Sequence, residues 1–210
     1  VPASQVRGRS PIRLATGLAR LWSGTLVAAR MLAEDRPAAV CATGGYAAAP
    51  VGRAARKAGI AYMKQTIDCA AALGADRLSG PLHSTLGRFS GNGPTAAEKK
   101  RSVSSQHAIG DHAAGKGVTI GLEALNRFEC YFVNTMDDLC AHLDEIDHAH
   151  IKAMYDTFHC NIEEQDPIGA YTKNLRHIVH VHISENDRGV PGRGNIPWKK
   201  TFKAIRDSGY

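Results

Sequence analysis

A chain of 210 residues with 43% hydrophobic content holds enough apolar material for one large domain or two small ones, which excludes wholesale disorder. Five cysteines, an odd number without short paired spacings, exclude a cysteine zinc cluster and suit reduced thiols in the cytoplasm; no apolar run reaches the roughly 18–20 residues of a membrane span. The net charge of +6 is carried by one end: residues 1–60 hold nine Lys/Arg against Glu34 and Asp35, whereas the remaining 150 residues balance 17 basic against 18 acidic groups and contain all ten histidines. That asymmetry predicts a boundary near Gly59–Ala61, with a 1–60 segment and a 61–210 segment. The basic segment lacks interleaved aromatic platforms, so nucleic acid is not expected as a partner.

From the amino end, Leu14, Leu18, Leu21 and Trp22 recur at helical spacing and predict a helix from Pro11 to about Leu32, with Ser10 as N-cap. A short strand, Ala38–Ala42, then a turn at Thr43–Tyr46 and a helix over Ala48–Ala58 closed by Gly59 complete a Rossmann-like α-β-α segment. A glycine turn between strand and helix can present backbone N–H groups to a phosphate. Arg36–Ile60, with Gly44 and Gly45, resembles part of the first domain of the peptidoglycan glycosyltransferase that adds N-acetylglucosamine to a lipid-linked muramyl-peptide. The resemblance covers about 60 residues and implies an anion contact at Gly44 and Gly45.

Beyond residue 60, helix and strand patterns alternate. Ala61–Leu73 predicts a helix stopped by Gly74, and Arg77–Leu82 a strand leading to the Ser/Gly-rich loop His83–Gly93. Thr95–Gly115 predicts a solvent-facing helix, Val118–Glu123 a strand and Asp137–Glu145 a helix. Strand Ile151–Asp156 is followed by a loop and a helix near Pro167–Leu175; strand His177–His182, the glycine-rich Ser184–Asn195 and a last helix Trp198–Ser208 end the series. The alternation calls for a parallel sheet, open or closed.

Three of these strands end on a chemically active side chain: Glu123, Asp156 and His182, separated by 33 and 26 residues, about one strand-plus-helix unit each. Parallel strands gather their C-terminal ends on one face, so a Glu, an Asp and a His meet there as oxygen and nitrogen donors for a metal. His180 is expected to point away from His182 and to be structural. His142, His148 and His150 read as helix-surface or loop residues, and Glu163 and Glu164 as a charge pair at a helix start.

Gly121–Glu129 (GLEALNRFE), Asp156–Glu164 (DTFHCNIEE), His180–Arg188 (HVHISENDR) and Pro191–Trp198 (PGRGNIPW) resemble the ketose 3-epimerases, the tagatose/psicose group of xylose-isomerase-like barrels. The resemblance runs from about Gly59 to Tyr210. It implies an incomplete (β/α) TIM barrel of about four units, one divalent ion (Mn, Mg or Co), and a free ketose as small-molecule substrate. By motif position it implies that Glu123, Asp156 and His182 ligate the metal, that Glu123 is also a catalytic acid/base, and that Glu129, His159 and Arg188 bind the sugar. The activity it implies is C3 epimerisation through an enediolate. That family's second catalytic Glu lies on a last strand beyond Tyr210, so a fragment or fusion with impaired activity is expected, as is self-association through open sheet edges. Two rival readings remain: a non-catalytic anion- or lipid-phosphate-binding module using the basic segment, and another metal enzyme of the same barrel class, such as a sugar isomerase or an abasic-site endonuclease.

Overall fold

The computed structural model of the chain describes residues 48–210 and the isolated position 26; side chains are described from Ala54 onward. The helix expected over Pro11–Leu32, the strand Ala38–Ala42 and the glycines Gly44 and Gly45 lie outside the described residues. The chain divides into two compact units, Val1–Gln65 and Thr66–Tyr210.

Helix α1, Ala48–Ala72, runs without a break where two helices separated by Gly59 were expected. One interior glycine costs a helix about 1 kcal/mol, too little to end it. The stop comes at Gly74, whose φ of +77° is open to glycine at no steric cost.

The second unit is a four-stranded parallel sheet in the order β1 (Arg77–Gly80), β2 (Thr119–Glu123), β3 (Ile151–Asp156), β4 (Ile178–His182), with each neighbour next in sequence. Helices connect successive strands: α2 (Ala96–Ala114) and α3 (Met136–Ile146), then the short α4 (Thr157–Glu163) and α5 (Pro167–Lys173), and α6 (Trp198–Asp207) after β4. This βα repetition gives the parallel sheet that the alternating pattern predicted, and it is a half-barrel of the TIM type, as the family resemblance implied. The two inner strands carry the core. Ile120, Leu122 and Ala153 are fully buried on one face and Met154 on the other, and α3, with Leu139, Leu143 and Ile146 buried, packs against β3.

Local chemistry fixes the helix starts. Thr95 and Glu98 form a capping box on α2, each side chain accepting the other's backbone N–H. Thr135 caps α3, and Asp166, with Pro167 behind it, caps α5. Asp156 is at once the last residue of β3 and the N-cap of α4. Helix α4 replaces the loop expected there, and it carries Glu163 and Glu164 at its C-terminal end rather than at a helix start. There Glu163 pairs with Arg127 and Glu164 accepts the Met136 N–H.

Helix α2 faces solvent as expected except for one buried strip, Gln106, Ile109, Gly110 and Ala113. His142 is buried rather than on a helix surface, its Nε2 2.9 Å from Ser102 Oγ. The four described cysteines, Cys69, Cys130, Cys140 and Cys160, are free thiols. No described helix is long and apolar enough to cross a membrane.

Candidate active site

Sheet register assembles the site. Asp156 lies directly opposite His182, and Glu123 opposite Met154, which shares a face with Asp156 two residues on. All three predicted ligands therefore project from one face at the C-terminal ends of β2, β3 and β4. His182 Nδ1 is 3.5 Å from Asp156 Oδ2. His180 belongs to the same face: its ring centroid lies 5.0 Å from that of His182, contrary to the expectation that it turns away. Residues two apart on a strand share a side; neighbours alternate.

Glu123 and Asp156 are both buried, with carboxyl oxygens within 4.8 Å of one another. Burial, and then the Asp156 charge, push the Glu123 carboxyl up to about 8. Asp156 has one oxygen committed: Oδ1 accepts the Phe158 N–H at 2.7 Å and the His159 N–H at 3.4 Å, leaving Oδ2 toward His182.

His159 enters the same cluster. Its donor atom lies within 4.8 Å of those of Glu123 and Asp156, and Nε2 is 3.6 Å from Glu123 Oε1. Its other nitrogen, Nδ1, accepts the backbone N–H of Asn126 at 3.0 Å and lies 3.0 Å from the Asn126 Nδ2. A neutral imidazole has one lone pair and one N–H. With the lone pair spent on Nδ1, Nε2 carries the proton and faces Glu123 as a donor. So arranged, His159 can donate to an oxygen, and His182 is a second imidazole beside the same two carboxyls. Two carboxylates that repel one another beside an imidazole suit a divalent ion with oxygen and nitrogen ligands.

Glu129 and Arg188 form one wall. Arg188 Nη2 donates to Glu129 Oε1, and its guanidinium lies 4.3 Å from the centre of the Phe158 ring. Burial works to raise Glu129, but the Asn126 amide and Arg188 outweigh it and hold the carboxyl below its ordinary range. Arg188 has φ 60°, a strained value for a residue with a side chain.

The loop that presents Arg188 is built around Glu185, a fully buried residue to which the sequence reading gave no role. Its carboxylate accepts the amides of Gly192 at 2.9 Å and Ile196 at 3.1 Å, and the Trp198 indole N–H. Burial would raise this carboxyl, but these donors hold it at about 2. Glycine is required nearby, because a Cβ on Gly194 would fall 2.5 Å from Glu185 Oε1. His83, also without an assigned role, sits in the β1–α2 loop and donates from Nε2 to the Glu123 carbonyl at 2.7 Å. Burial drives its pKa down to about 4, so it adds no charge beside the carboxylates. The polar spacing of Glu185 and Trp198 could have signalled a buried acceptor; no local pattern marks His83.

The chain is similar to several solved and curated proteins. It is 35% identical over 159 residues to the D-psicose 3-epimerase of Agrobacterium fabrum, covering 75% of this chain and 55% of that one. It is 42% identical over 111 residues to the D-psicose 3-epimerase of Ruminiclostridium cellulolyticum, covering 53% of this chain and 38% of the relative. A solved L-ribulose 3-epimerase superposes with a TM-score of 0.70 at 33% identity, over 77% of this chain and 52% of that one. The chain thus spans roughly two fifths to a little over half of these relatives. The family model described as xylose isomerase-like TIM barrel matches residues 26–210, across the strands and helices that bring Glu123, Asp156 and His182 together, and the chain belongs to that family.

Proposed function

We propose that residues 66–210 form the metal-binding half of a sugar epimerase acting at C3 of a free ketose. The observation that carries the reading is the convergence of Glu123, Asp156 and His182 on one face at the C-terminal ends of three neighbouring strands. The similarity to psicose and ribulose 3-epimerases supports the substrate class.

Glu123, Asp156 and His182 would hold a divalent ion such as Mn, Mg or Co, which supplies a Lewis acid for the ketose oxygens. Glu123 acts as general base toward the C3 hydrogen. His159 donates its Nε2 proton in a hydrogen bond to the oxygen on which charge develops. Glu129 and Arg188 accept from and donate to the sugar hydroxyls, with Phe158 supporting the guanidinium from below. Removal and return of hydrogen by Glu123 exchanges the C3 hydrogen with solvent.

The test is exchange of the C3 hydrogen of a ketohexose into heavy water with added Mn²⁺. C3 exchange is expected, with a loss of a hundredfold or more in Glu123→Gln, in line with typical general-base effects of roughly 10²–10⁴. Equal exchange in both proteins removes Glu123 from the mechanism.

The basic first 60 residues motivate a second reading, anion or lipid-phosphate binding with Gly44 and Gly45 as contacts and a glycosyltransferase-like origin. Salt-sensitive retention on anionic vesicles supports it, and no retention at low salt disposes of it.

A further inference from the structure

We propose that Asn126 is a positioning residue that fixes which nitrogen of His159 carries the proton, so that the imidazole serves the site as an N–H donor and is withheld from the cation. The inference rests on the sugar-epimerase reading for its purpose, but not for its geometry.

Asn126 follows the end of β2 by three residues and is buried to 2% exposure. All its polar atoms are engaged. Its side-chain Oδ1 accepts the Phe128 N–H at 3.0 Å, which fixes the amide's orientation: the flipped amide would set two donors against each other. Its Nδ2 therefore faces His159 Nδ1 and Glu129 Oε1, both at 3.0 Å. The backbone N–H of the same residue points at the same imidazole nitrogen, also at 3.0 Å. Two donors converging on Nδ1 leave it no room for a hydrogen. The proton is confined to Nε2, toward Glu123. Through Nδ2 the same amide braces Glu129, the partner of Arg188, so one side chain sets both the donor and the wall of the sugar site.

The experiment reads the tautomer directly in the full chain, by ring nitrogen NMR on histidine-labelled protein at mildly alkaline pH, without sugar or metal. The His159 signals are assigned by their disappearance in His159→Gln. In the parent protein an Nε2–H ring is expected; an Nδ1–H ring overturns the proposal.

Asn126→Asp replaces the side-chain donor with an anionic acceptor. A charge-assisted bond is roughly twice as strong as the neutral one left at the backbone N–H, so the proton is expected to move to Nδ1. A folded Asp variant that keeps Nε2–H overturns the side chain's part. Asn126→Ala removes the Nδ2 donor and keeps the backbone one, so a share of Nδ1–H is expected; a folded Ala variant that keeps Nε2–H alone overturns the side chain's part. Because the readout involves no turnover, absence of C3 exchange would bear on the epimerase reading alone.

Discussion

Two carboxyls held at neighbouring strand ends cannot both ionise cheaply, and Glu123 responds by keeping its proton to about pH 8. In the metal-free protein this has a definite sign. The folded form binds a proton that the unfolded chain releases near its usual value of 4.5, so stability falls as pH rises from there to about 8. Glu123→Gln is expected to stabilise the metal-free chain above that window by on the order of 2 kcal/mol, and not at all below it, as read by urea melts. Mn²⁺ should displace the same proton, so its apparent affinity is expected to climb with pH and level off near 8. The tautomer argument separates the imidazoles: His182→Gln should weaken Mn²⁺ by at least about tenfold, while His159→Gln stays within about threefold by calorimetry. The same rule bears on a second cluster, of His107, Asp111 and His148, where His148 Nδ1 accepts the His150 N–H and Nε2 points its proton toward Asp111, 3.4 Å away. Glu123 and Asp156 were legible in the sequence because each ends an apolar β-branched or mixed run. Asn126 was not, because its partner His159 lies 33 residues away and only the fold reveals the contact.

At the scale of elements, most helices and strands were legible and some of the breaks were not. Thr95 three residues before Glu98 is a readable helix start, and Thr95→Ala is expected to cost about 1 kcal/mol in a urea melt. Gly59 looked like a stop and is interior, since a lone glycine weakens a helix without ending it. Helix α4 was read as a loop because seven residues give too short a window for an apolar period; the Asp156 cap was its one signal. The Ser184–Trp198 loop owes its shape to Glu185, whose donors come from as far as 13 residues on. Its depressed pKa contributes stability above the usual 4.5 that is lost as pH falls toward 2. Glu185→Ala leaves those donors without an acceptor and is expected to lower the melting temperature and change Trp198 emission. A variant with unchanged melting and emission would show that the loop stands without it.

For the second unit as a whole, the strand order and the face that carries the site followed from the spacing of Glu123, Asp156 and His182, since successive βα units leave little freedom in a parallel sheet. The inner strands β2 and β3 hold fully buried residues on both faces, so their amides are expected to be the last to exchange with heavy water, behind those of β1 and β4. Strand β3 meets α4 with no residue between them, and Asp156 serves both. A side chain that anchors a helix with one oxygen can offer a guest only the other, and it moves only as the sheet moves. Calcium favours carboxylates that clasp with both oxygens in a yielding shell, whereas smaller octahedral ions accept single, rigid oxygens. For a metal held as proposed, the strand–helix junction would act as a size filter, and calcium is expected to compete poorly with manganese for this protein.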